Sequence, residues 1–246
     1  MRETRTAVQA DPTRSDEQVT LSTQFEYPVA ATLTRDEICA CIEDTGVIPT
    51  VGTASTEDAL FVATTLLGAG IPMIEIRMNA PEALDIISHL AKHTPTIIVG
   101  VGSLRNADMA GKCIDAGAKF VATDGLIAGV VERAAKDKIA TIAGGLTLTE
   151  VISAWDTGVD FVKVVPCYAV GGPSYIQTLK AAIPQARLVA AGGVNQLTAL
   201  NYIKAGATAL SVGIEVIPTE AIALRQSRRI QELARRFLTA VDTGRD

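Results

Sequence analysis

The chain has 246 residues, 48% of them apolar and 20% charged, with a formal net charge of −5. That is enough for one large α/β barrel or two small domains around a substantial core, and it argues against wholesale disorder. No broad basic field is available to displace counterions from nucleic-acid phosphates, and no apolar run approaches the ~20 residues needed to cross a bilayer.

From the N-terminus, "MRETRTAVQADPTRSDEQVT" carries charges without an apolar h-region, so it does not read as a secretory signal. Residues 1–32 are polar and aperiodic and are expected to form a flexible arm, with the folded domain spanning 33–246. The spacing then predicts short apolar strands at 47–51, 72–78, 96–101, 119–123, 139–143, 160–165, 187–191 and 209–213. Each is rich in β-branched residues, as parallel strands buried on both faces should be. Helical patterns separate them. "STEDALFVATTLLGAG" opens on Ser55 and closes at Gly68 and Gly70, the expected start and stop chemistry. A last amphipathic helix is expected over 219–241. Eight strand–helix units predict a single α/β domain, a (β/α)8 TIM barrel with an N-terminal arm and a C-terminal helix. An open doubly wound sheet is the alternative.

Four cysteines, Cys39, Cys41, Cys113 and Cys167, form no C-x-x-C pair. They suit free, core-packing thiols in a reducing cytoplasm. His89 and His93 stand at i, i+4, but the glutamate of H-E-x-x-H is missing and the helix should lie outside the barrel. No metal is expected. Arginines 225, 228, 229, 235 and 236 are expected along the last helix as a solvated face or a subunit contact.

Side chains alternate across a strand, so parity sorts them. In "MIEIRM", Ile74, Ile76 and Met78 face the helix layer while Glu75 and Arg77 face the barrel interior. In "FVKVV", Val162 and Val164 face outward while Phe161, Lys163 and Val165 face in. Two anomalous charges, Lys163 and Glu75, therefore converge on one lumen. Burial disfavours the charged form of an amine, and a neutral lysine can attack a ketone. The resulting Schiff base is an electron sink for carbon–carbon cleavage, and a neighbouring carboxylate can move the protons this requires. A buried salt bridge that serves only the core is the bland reading of the same two residues.

"AAGGVN", with Gly192 and Gly193, and "SVGIE", with Gly213, follow the seventh and eighth strands. Loops there commonly bind phosphate through bare backbone N–H groups. Ser103, in "VGVGS", adds a hydroxyl at the same rim.

These segments carry a resemblance. "IEIRMNAPEAL", "VGVGSL", "FVKVVPCYAVGGPSYIQTLKAAIPQ", "AAGGVN" and "SVGIEVIP" are similar to segments of the Schiff-base 2-keto-3-deoxy-6-phosphogluconate and 4-hydroxy-2-oxoglutarate aldolases. The similarity runs from about Thr45 to Pro218. It implies a cytoplasmic lyase that releases pyruvate and an aldehyde from a small keto acid, phosphorylated or not, as a homotrimer without metal or cofactor. Nucleic acid and membrane are not expected partners. Carried over, Lys163 forms the imine, Glu75 is the acid/base, Ser103 holds the pyruvyl carboxylate, and Gly192, Gly193 and Gly213 lie on the phosphate-binding backbone. Asn79 occupies a position that varies in the family between arginine and asparagine. The chain departs at Arg77, in place of a small residue; at Ala191, in place of threonine; and at bulky Ile214 after Gly213. "TDG" at 123–125 replaces Ser-Pro-Gly, and Ala143-Gly144-Gly145 replaces a Pro-Gly pattern. Arg77 either binds a second substrate carboxylate or neutralises Glu75. Two other functions remain open: a phosphosugar isomerase or epimerase on the same barrel, and a non-catalytic barrel used for assembly or ligand sensing.

Overall fold

A computed structural model describes residues 27–52, 55–79 and 82–246. Eight parallel strands close into one ring in sequence order: β1 Val47–Val51, β2 Met73–Arg77, β3 Ile98–Gly102, β4 Phe120–Ala122, β5 Ala140–Gly145, β6 Phe161–Val164, β7 Leu188–Ala191 and β8 Ala209–Val212. The outer layer comprises α2 Thr56–Leu67, α3 Ala83–His93, α4 Ala107–Asp115, α5 Ala128–Asp137, α6 Leu148–Asp156, α7 Pro173–Ala182 and α8 Ala199–Lys204. The fold is a (β/α)8 barrel, and each expected strand is present within two residues of its predicted ends.

Local chemistry starts the helices where the chain needs them. Ser55 accepts from the Asp58 N–H at the start of α2, and Asn106 accepts from the Met109 N–H at the start of α4. Thr147 and Glu150 form a reciprocal capping box on α6. Outward residues of the strands, among them Ile74, Ile76, Val162 and Val164, are fully buried beneath this layer. Inside the ring, Phe120 fills the space that a side chain on Gly100 of the adjacent β3 would occupy: a Cβ there would lie 2.1 Å from its ring.

Several expectations need correction. The sequence pattern predicted no helix before the first strand, yet α1 spans Arg35–Thr45. A Thr34–Glu37 capping box starts it and Gly46, in the left-handed region at φ 64°, ends it. Its acid-rich, weakly amphipathic pattern hides it, because one short face with Ile38, Cys39 and Ile42 is all that it buries. The helix expected from Asn195 begins only at Ala199, because the Asn195 carboxamide oxygen accepts from the Leu197 and Thr198 N–H groups and holds a turn. The single terminal helix expected over 219–241 is two, α9 Thr219–Ala223 and α10 Ser227–Arg245. Arg225 adopts φ 51° at the break. Its guanidinium reaches Asp58 Oδ1 at 2.5 Å and Glu57 Oε1 at 2.9 Å, so it belongs to the junction rather than to the helix face.

Of the expected arm, residues 1–26 lie outside the described residues, and Ala30–Thr32 form a 3-10 turn. All four cysteines are free thiols. Among the described residues no helix is long and apolar enough to cross a membrane. His89 and His93 stack at 4.1 Å on α3, in the outer layer.

Candidate active site

Strands β2 and β6 are four places apart in a ring of eight, so their inward side chains meet across the lumen. Lys163 Nζ lies 3.3 Å from Glu75 Oε1 and 3.5 Å from Glu75 Oε2. The two residues are 3% and 2% exposed, and no buried polar side-chain atom among the described residues lacks a partner. The parity argument therefore holds at both positions. Room for Glu75 comes from Gly102: a Cβ there would lie 2.0 Å from Glu75 Oε1.

Above this pair the C-terminal ends of the strands open into a cavity of about 980 Å³. Lys163, Glu75, Arg77, Asn79, Ser103, Gly192, Gly193 and Gly213 all line it. Active sites of such barrels occupy this end, where loops from separate strands can each contribute a group.

One lining residue was not singled out from the sequence. Asp124, in the turn after β4, places Oδ1 3.7 Å from Lys163 Nζ, while its Oδ2 accepts from the Ser103 hydroxyl at 2.8 Å. Ser103 holds φ 61°, an uncommon conformation for a residue with a side chain. The Asp124 turn rests on β5 at Gly144, where a Cβ would lie 2.2 Å from the Asp124 carbonyl carbon. Gly144 is also the register partner of Lys163. The only hint in the sequence was the pair of departures at "TDG" and Ala143-Gly144-Gly145, and their connection exists only in space.

At the far side of the cavity, Gly192 and Gly193 take φ 76° and 82°. Among the described residues, the N–H groups of Gly193, Val194 and Ile214 meet no protein acceptor. They are available to an anion. Ile214 is 71% exposed and lines the rim of the cavity. Arg77 also lies at this mouth and, among the described residues, makes no salt bridge with Glu75 or any other acid. Cys167 lies behind the lysine strand, its thiol bonded to the Ala191 carbonyl at 3.1 Å; burial pushes the thiol up and keeps it unreactive.

Known proteins share much of this sequence and fold. Residues 38–233 match the protein family described as KDPG and KHG aldolase. A KHG/KDPG aldolase of Escherichia coli (strain K12) is 28% identical over 189 residues, which cover 77% of this chain and 89% of that protein. A 2-dehydro-3-deoxy-phosphogluconate aldolase of Treponema pallidum (strain Nichols) is 25% identical over 204 residues, 83% of this chain and 97% of that protein. The structure of a KDPG aldolase from Legionella pneumophila, with pyruvate captured as a covalent carbinolamine intermediate, superposes with a TM-score of 0.75 at 25% identity. It covers 80% of this chain and 96% of that one.

Proposed function

Because the chain belongs to the KDPG and KHG aldolase family, we propose that it is a class I aldolase. It cleaves a 2-keto-3-deoxy sugar acid or a 4-hydroxy-2-oxo acid to pyruvate and an aldehyde. The observation that carries this reading is the buried Lys163–Glu75 contact at 3.3 Å on the floor of an open cavity.

In this reading the Lys163 amine attacks the C2 ketone of the substrate, and loss of water gives a protonated imine. Glu75 carries the protons of carbinolamine formation and dehydration, and later protonates C3. When the C3–C4 bond breaks, its electrons move into the iminium and leave an enamine. Protonation at C3 and hydrolysis then release pyruvate and restore the amine. Arg77, without an acidic partner among the described residues, supplies a cation for a second anionic group of the substrate. Asn79 stands beside it at the mouth. The exposed N–H groups after β7 and β8, with Gly192, Gly193 and Gly213 as their frame, support a distal anion such as phosphate. Ser103 serves the carboxylate end.

A cytoplasmic homotrimer completes the reading and rests on the resemblance. Exposed apolar side chains at Leu126, Leu148, Ile152, Tyr168 and Val170, in the segments after β4, β5 and β6, are consistent with a subunit contact.

Borohydride reduction in the presence of pyruvate tests the chemistry. The expected result is a stable mass adduct on the Lys163 peptide, absent from Lys163→Ala. A folded protein that forms no adduct with any of a panel of 2-oxo acids overturns the aldolase and favours a non-catalytic barrel or an imine-free isomerase.

A further inference from the structure

We infer that Thr50 and Ser211 form a hydroxyl pair that reads the aldehyde half of the substrate. The pair selects keto acids whose released aldehyde itself carries hydroxyl groups. This rests on the reading of Lys163 as the imine-forming amine and narrows the class of substrate it acts on.

Both residues interrupt strands that are otherwise apolar. Thr50 stands on β1 and Ser211 on β8, and both line the cavity. Ser211 is only 9% exposed. Among the described residues neither hydroxyl makes a hydrogen bond, yet no buried polar side-chain atom lacks a partner. Both oxygens therefore open onto the cavity. Hydroxyls that serve only the core behave differently: Thr65 donates to the Phe61 carbonyl and Thr94 to the Leu90 carbonyl, each at 2.6 Å.

Their place in the ring identifies what they meet. From Lys163 on β6 to Glu75 on β2 the ring runs two ways. Through β5, β4 and β3 it passes the turn of Asp124 and then Ser103, the end assigned to the pyruvyl carboxylate. Through β7, β8 and β1 it passes Ala191, Ser211 and Thr50. Ser211 is the register partner of Ala191, and Thr50 that of Glu75. A Cβ on Gly213 would lie 3.1 Å from Thr50 Oγ1, so this hydroxyl stands beside the loop that bears the open Ile214 N–H. A C2 atom joined to Nζ carries C1 and C3 on opposite sides. With C1 directed to Ser103, C3 and the carbons beyond it run past β7, β8 and β1 toward the open N–H groups. Ala191 offers those carbons a methyl group; Ser211 and Thr50 offer hydrogen bonds.

Serine and threonine hydroxyls both donate and accept, which matches the hydroxyls of a sugar chain. Once a substrate expels the water of the cavity, a Ser211 oxygen that faces an alkyl carbon is left buried and unpaired. That penalty falls on aldehydes without hydroxyls and makes the pair selective.

Aldol addition of pyruvate to glyceraldehyde and to propanal tests the assignment, because these three-carbon aldehydes differ only in their hydroxyls. Comparing the ratio of their kcat/KM values between variant and wild type cancels their intrinsic reactivity. Thr50→Val and Ser211→Ala are each expected to lower the glyceraldehyde-to-propanal ratio about tenfold. Thr50→Ser, which keeps the hydroxyl, should hold the wild-type ratio. Exchange of the pyruvate methyl protons in D2O involves no aldehyde and separates lost recognition from damage around Lys163 and Glu75. It is expected to change less than about threefold in each variant. An unchanged ratio in Thr50→Val or Ser211→Ala overturns the pair. So does a ratio that falls as far in Thr50→Ser as in Thr50→Val, or a loss of exchange as large as the loss of addition. A wild type that exchanges methyl protons but adds pyruvate to neither aldehyde also overturns it. A wild type that shows neither exchange nor a borohydride adduct overturns the aldolase reading instead.

Discussion

Strand β6 carries a charged cluster at each end, and the two are built differently. At its N-terminal end Asp160, 6% exposed, accepts from Arg35 Nε at 3.0 Å through both oxygens and from the Thr141 N–H at 2.8 Å, with Arg187 Nη2 at 3.8 Å. Arg187 in turn reaches Glu43 at 2.6 Å and lies 4.8 Å over the Phe161 ring. The Asp160 hydrogen bond pushes the Arg35 guanidinium above its usual range, so this cation stays charged at any pH the fold survives. Three residues further on, Lys163 has, among the described residues, polar contacts of 3.3, 3.5 and 3.7 Å, all to carboxylates. Short, saturated contacts fasten α1 across the bottom of the ring. Long contacts at the top leave an amine able to exchange its partners for a substrate. The same residue types make a fastening or a reaction centre according to how completely their lone pairs are used.

Substitutions at the two ends should sharpen that contrast. The largest effect is expected from Glu75→Gln, which keeps the shape and removes the proton carrier. Both aldol cleavage and pyruvate methyl exchange should fall by about 10²–10⁴-fold. Undiminished exchange in this variant would reduce the Lys163–Glu75 contact to a core salt bridge. Next comes Arg77→Thr at the mouth. Without the guanidinium to donate charge-assisted hydrogen bonds, KM for keto acids bearing a second anion should rise about tenfold. Faster turnover on every substrate would mean instead that Arg77 restrains Glu75. The smallest effect on catalysis belongs to the bottom cluster. Asp160→Ala leaves Arg35 and the Thr141 N–H without their acceptor and is expected to cost about 2 kcal/mol, or roughly 4–8 °C in Tm, after allowing for the partial exposure of Arg35. Cleavage per folded molecule should not change. A loss of activity that exceeds the loss of folded protein would show that the two ends communicate.

The architecture was legible because each strand is short, apolar and spaced from the next by one helix, and because parity alone sends Glu75 and Lys163 to the same face. Three features were hidden for separate physical reasons. Helix α1 buries a single narrow face, so its periodicity is weak beside its acidic residues. The break at Arg225 depends on Glu57 and Asp58, more than 160 residues away in the chain. Asp124 sits in a turn whose direction is set by how closely it can approach Gly144 on the next strand. Local pattern reports which residues are buried; it does not report which turn leans over which strand.

Strand β3 presents glycine at both of its inward positions near the site, Gly100 and Gly102, and neighbours occupy the vacated space: the Phe120 ring in one case, the Glu75 carboxylate in the other. The position of the proton carrier is thus dictated by an atom that is missing from an adjacent strand. For anyone seeking to evolve new selectivity into this scaffold, diversifying Gly102 would evict the carboxylate before it reshaped the binding of any aldehyde. The freer ground lies at the solvent-facing rim, at side chains such as Ile214, 71% exposed, where new chemistry can be tried without disturbing the floor.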